Sequence, residues 1–131
     1  MRRVTPEVPT ILRVFFMIHF AVDILFAVPL FFLPVSFLSF FGWTTVDPVT
    51  ARLVAAALFG IGTESLIGSR GTNDTFVSML NLKIIWSTFA VCGLVVSIAE
   101  LSWQVPILLW VVLGVFAAFN VLWIYWRIRL A

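Results

Sequence analysis

Six side chains in this sequence could do chemistry in surroundings that otherwise exclude water. His19 and Asp23 stand four residues apart in "FFMIHFAVDILF", Arg52 and Glu64 lie in "TARLVAAALFGIGTESLIG", Lys83 in "NLKIIW", and Asn120 in "AAFNVLW". A histidine one helical turn from an aspartate is a pattern for a proton relay or a metal ligand. The chain has one histidine and one cysteine, so a metal site would be short of ligands. The reading is a histidine oriented by a carboxylate, with no metal. Glu64 and Lys83 are charges of opposite sign in apolar runs, where an ionised side chain normally faces the bundle interior and finds a partner. The expected partnership is a Glu64–Lys83 ion pair, serving either as a clamp on helix register or as a proton-linked or ligand-binding carboxylate with its counter-ion.

The elements that must position these groups are membrane helices. Of 131 residues, 63% are hydrophobic and 11% charged, against about 25% charged in a soluble domain. So few polar residues cannot cover the surface of a globule this size, and the class is an integral membrane protein. Four apolar segments, at about 11–33, 48–68, 75–99 and 106–127, are each long enough to span a bilayer, which takes about 20 helical residues. The expected fold is all-α, a single-domain transmembrane four-helix bundle over 1–131. Asp47 followed by Pro48 marks a helix start, Asn73, Asp74 or Thr75 can cap the third span, and Pro106 opens the fourth. Between the first two spans, "PVSFLSFFGW" reads equally as a short helix in the interface plane or as the frayed end of a tilted first helix. Pro29 is expected to kink the first span by freeing the backbone of Leu25.

Charge assigns the sides. Arg2, Arg3, Arg13, Arg70, Arg127 and Arg129 cluster at one end, and the connections around 34–47 and 100–105 hold no lysine or arginine. Both termini are therefore expected in the cytoplasm, with the protein in the bacterial inner (plasma) membrane. The opening "MRRVTPEVPT" resembles a leader, but the following apolar run is long, carries His19 and Asp23 and lacks a small-residue cleavage pattern, so it reads as a first span.

A helix rise of about 1.5 Å per residue puts Glu64 roughly 6 Å from the terminal end of its span, Lys83 and His19 roughly 12 Å and Asn120 roughly 10 Å. The four come to nearly one level. From Glu64, steps of three and four reach Ala57, Gly60 and Gly68, a face that permits close helix approach. From Lys83 they reach Ser87, Ala90, Leu94 and Ser97. Arg52 enters from the other side and can reach toward Asp23. Asn81, about 160° from Lys83 around the helix, lies with Ser78, Thr88 and Cys92 and faces another helix or subunit.

Several chemistries are excluded. "GIGTESLIGSRG" fails the dinucleotide pattern, no serine has a histidine–acid arrangement, and no catalytic residue, cofactor, metal or nucleic-acid partner is expected. The stretch "FFLPVSFLSFFGW", followed by "VDPVTARLVAAALFGIG", resembles small bacterial four-helix membrane proteins of uncharacterised function, distantly DoxX-like. Arg52, Gly60, Gly62 and "NLKIIW" carry the similarity. It implies a four-helix bundle and no particular activity.

The functional expectation is small-molecule or ion binding or transport, proton-linked if Glu64 titrates. The pocket would open toward the cytoplasm and be built from Glu64, Lys83, His19 and Asn120. A chain this short would act as a homo-oligomer among membrane lipid. The alternative is an accessory subunit of a larger membrane complex. A weaker one is a lipid-modifying enzyme using His19 with Asp23 or Glu64.

Overall fold

The computed structural model describes residues 7–131 and, among them, contains only helices. Arg2, Arg3 and the leader-like opening lie outside the described residues. Five helices follow one another: α1 (Thr10–Phe32), α2 (Pro34–Phe40), α3 (Pro48–Gly68), α4 (Asn73–Glu100) and α5 (Ile107–Arg129). All but α2 are long and apolar enough to cross a membrane. Their outer faces carry exposed Leu25, Leu53, Phe89, Ile107 and Val121, as a lipid-facing surface requires.

Local chemistry explains most boundaries. Pro29 sits inside α1, which continues three residues beyond it and stops at Leu33, whose N–H donates to the Pro29 carbonyl. Pro34 then opens α2, a separate seven-residue helix, which resolves the "PVSFLSF" ambiguity toward a distinct element. Asp47 caps α3 by accepting from the N–H groups of Val49 and Thr50, and Pro48 takes the first helical position. The expectation for the third span fails by one to three residues. Thr72 is the cap residue of α4 and makes no side-chain cap hydrogen bond, and Asn73 is already helical. Pro106 caps α5 rather than entering it.

The bundle consists of two antiparallel pairs, α1 with α3 and α4 with α5. Along the first pair, Arg13 Nη1 donates to the carbonyls of Ser69 (2.8 Å) and Gly71 (3.0 Å) at the terminal end, and Arg52 Nε donates to the Phe31 carbonyl (3.0 Å) at the other. Between them the backbones come close at Gly62. A Cβ there would lie 2.8 Å from Asp23 Cβ, nearer than two carbons can approach. Along the second pair, Asn120 Nδ2 donates to Ser87 Oγ and Thr88 Oγ1, both at 2.9 Å. Arg127 Nε donates to Asn81 Oδ1 (2.8 Å), so Asn81 does face another helix, and that helix is α5.

The pairs seal against each other at the terminal end. Leu12, Phe16, Phe76, Met79, Leu80 and Trp123 form the main apolar core there, with the Phe16 and Phe76 rings 4.5 Å apart and Trp123 edge-on to Phe16. Toward the other end Leu30, Ala51 and Ala55 pack under α2, and the pairs part around a cavity.

The packing face of α3 differs from the expected one. Ala51, Ala55, Leu58, Gly62, Ser65 and Gly68 are buried, whereas Gly60 and Glu64 are exposed, and nothing lies within 4 Å of a Cβ placed on Gly60. Both faces carry small residues at steps of three and four. The one that could approach α1 most closely won.

Two substitutions separate these faces. Gly62→Ala is expected to destabilise the protein by about 1–3 kcal/mol through forced separation of α1 and α3. Gly60→Ala should be neutral or stabilise by up to about 1 kcal/mol, the helix-interior gain over glycine. Unfolding in mild detergent measures both, and equal effects would refute the assigned face. The α3 cap adds a pH dependence. The Thr50 hydroxyl, then the Val49 N–H, hold the Asp47 carboxyl below the ordinary carboxylate value. Its stabilisation is therefore complete above the ordinary carboxylate range and fades as pH falls through the depressed native value. Asp47→Asn, which keeps a capping oxygen without the charge, should flatten that part of the pH–stability curve.

Candidate functional site

Where the two pairs part, four side chains from three helices meet around one ammonium. Lys83, on α4, is 2% exposed. Its Nζ lies 2.5 Å from Ser65 Oγ and 3.0 Å from His19 Nδ1. The same nitrogen sits over two aromatic faces, 4.9 Å from the Phe16 ring centroid and 5.2 Å from that of Trp123. A desolvated ammonium at such distances gains about 2 kcal/mol from a ring quadrupole. The charge is thus held by hydrogen-bond acceptors and ring faces, with no carboxylate in direct contact.

This overturns the expected ion pair. Among the described residues no salt bridge joins Lys83 to Glu64, and the single ion-pair contact is His19 Nδ1 to Asp23 Oδ2 at 3.2 Å. The reason is rotational. Adjacent residues on a helix are about 100° apart, and the close approach at Gly62 turns Ser65 inward. Glu64 is left on the outer surface.

The proton inventory of the cluster is tight. Ser65 Oγ donates to the Ile61 carbonyl (2.7 Å) and accepts from Lys83. For the ammonium to donate to His19, Nδ1 must present its lone pair, which puts the ring proton on Nε2. Nδ1 then has no hydrogen to offer Asp23. In agreement, Asp23 Oδ2 is enclosed and accepts no hydrogen bond despite its 3.2 Å approach. The imidazole itself is fixed by edge-on contacts with Phe119 (4.7 Å) and Trp123 (5.2 Å), which stack on each other.

His19, Asp23, Lys83 and Ser87 form the polar end of a cavity of about 410 Å³ between the helix pairs. Its remaining walls are aromatic and aliphatic: Phe26 and Leu30 of α1, Val54 and Leu58 of α3, Trp86 of α4, Val112 and Phe116 of α5. Trp43, Thr45 and Asp47 line its far end. The size falls in the range of about 300–1,000 Å³ found for small-molecule sites. The cavity runs from the cluster toward the 43–47 connection, away from the terminal end expected to hold the opening. That end is filled by the Phe16–Phe76–Trp123 core.

Of the six sequence candidates, the fold brings together His19, Asp23 and Lys83. Asn120 is set back, reaching Ser87 Oγ and the Ile84 carbonyl rather than Lys83. Arg52 bonds the Phe31 carbonyl and does not reach Asp23. Glu64 and Arg52 contribute no wall to the cavity. Ser65 was missed, although the stripe Ala51, Ala55, Leu58, Gly62, Ser65, Gly68 is a longer run at helical spacing than the one through Glu64. No group of three or more metal-ligating side chains occurs among the described residues. Comparison of the chain with protein-family models, with curated proteins and with solved structures gave no match.

Double-mutant cycles test the assignment. Lys83→Met with Ser65→Ala should show a coupling energy of at least about 1 kcal/mol in detergent unfolding, and Lys83→Met with Glu64→Gln a coupling near zero. The reverse pattern would restore the Glu64 pairing.

Proposed function

We propose that this membrane protein binds a small amphiphilic molecule, taken from the bilayer, in the cavity between its two helix pairs. The observation that carries this reading is the joining of apolar, aromatic walls to one buried polar cluster. Sites that hold small molecules combine a mostly apolar lining with a few convergent polar groups. With both termini in the cytoplasm, as the arginine distribution favours, the cavity would lie in the outer half of the membrane. One chain encloses a chamber rather than a path, so passage across the membrane would need an assembly of copies.

A second reading has its own observation. Glu64 stands exposed on a membrane-spanning helix with the open Gly60 one turn away, which favours an accessory subunit that meets a partner helix there. Purification from native membranes would separate the two, because an accessory subunit should carry a partner that Glu64→Gln releases.

Binding is tested by thermal unfolding in detergent with added dodecanol. A ligand that binds only the folded state raises the midpoint saturably. The wild type should show that rise, and Val112→Trp, which fills the cavity, should lose it. An equal rise in both proteins would place the alcohol in the micelle and end the proposal.

A further inference from the structure

The polar end of the cavity has one donor and one acceptor left over, and they belong to opposite charges. An ammonium carries three N–H groups, and Lys83 directs two of them to Ser65 and His19. The Asp23 carboxylate accepts no hydrogen bond among the described residues; its Oδ2 is enclosed beside a ring nitrogen that has no hydrogen to give, so the acceptor left to the cavity is Oδ1. Lys83 and Asp23 both line the cavity, yet no nitrogen–oxygen contact within 4.0 Å joins them. The two residues therefore offer the cavity one spare donor and one unused acceptor.

Resting on the proposed binding of an amphiphile, we infer that the ligand's head is a neutral hydroxyl, which accepts from Lys83 and donates to Asp23. A hydroxyl is the smallest group that does both at one atom. A carboxylate or phosphate head could accept from Lys83 but would bring a second negative charge against Asp23. An ammonium head would meet Lys83 in the same way. An alkane would leave both charged groups unsatisfied in an apolar chamber. The tail has an evident course, because the aromatic walls continue from the cluster to Trp43. At about 30 Å³ for each water-sized group, the chamber of about 410 Å³ holds roughly a dozen heavy atoms. The ligand class is therefore a medium-chain or compact alcohol, anchored at Lys83 and Asp23 with its tail toward Trp43.

The test uses three chains that differ only at the head: bromododecanol, bromododecane and bromododecanoic acid, each brominated at the tail end. Bromine quenches nearby indole fluorescence, so binding reads as the saturable quenching that disappears in Trp43→Phe. In the wild type at neutral pH, the alcohol should bind about tenfold or more tighter than either of the others, the effect of one charge-assisted hydrogen bond gained or left unmade. Asp23→Asn should invert the order of alcohol and acid, since Lys83 then stands without its opposing charge. Lys83→Met should bring the alcohol down to the alkane. The wild-type ranking stands even if a variant fails to fold. Equal saturable binding of all three chains would overturn the hydroxyl assignment and leave the amphiphile cavity intact. Tighter binding of the acid in the wild type would do the same. Absence of any Trp43-dependent saturable quenching would overturn the cavity reading itself, and this inference with it.

Discussion

The arrangement of this bundle depends on one demand: Lys83 carries an ammonium into a membrane-spanning helix and is almost completely enclosed there. A charge placed so must be given partners by the protein, because lipid supplies none. The partners come from each of the other three spans. Ser65 approaches from α3, His19 and Phe16 from α1, and Trp123 from α5. Lys83 is therefore the point at which the two helix pairs are held together above their apolar seal. It is also the floor of the cavity above.

Partnering by a hydroxyl, an imidazole and two ring faces differs in consequence from partnering by a carboxylate. A direct salt bridge would have closed the cluster on itself. Here the acid that lines the polar end of the cavity, Asp23, is pressed against Gly62 at the α1–α3 crossing and makes no ion-pair contact with the ammonium. Charge is balanced at a distance while hydrogen-bonding capacity stays open toward the cavity. The same glycine that permits the close crossing thus turns Ser65 inward and fixes where Asp23 can stand. Packing and site chemistry share one cause.

The two ends of the molecule divide the work. Large flat side chains interlock where the start of α1 and the end of α5 meet the α3–α4 turn, and Arg13 ties that turn to α1. At the other end the pairs diverge, and α2 and the 43–47 connection line the cavity there. Rigid packing at one end and separation at the other produce a chamber without a break in any long helix. Within the spans the backbone groups stay helically paired, as a membrane requires, except at Pro29, which has no N–H to give the Leu25 carbonyl.

Much of this was written in the sequence. Composition and apolar run length determine a membrane protein of four spans, because no other arrangement hides so many apolar groups. Asp47–Pro48 determines where α3 starts, and the spacing of His19 and Asp23 determines that they share a face. Depth along the membrane was legible for the same reason, since helical rise is constant, and His19 and Lys83 do meet. Rotation was not legible. Two small-residue faces on α3 compete at similar spacing, and only the crossing at Gly62 decides that Ser65 goes in and Glu64 goes out. Nor could any single helix show that the pairs would seal at one end and part at the other. That depends on side chains of four helices interlocking at once, a property of their joint volume, and the tertiary structure alone decides it.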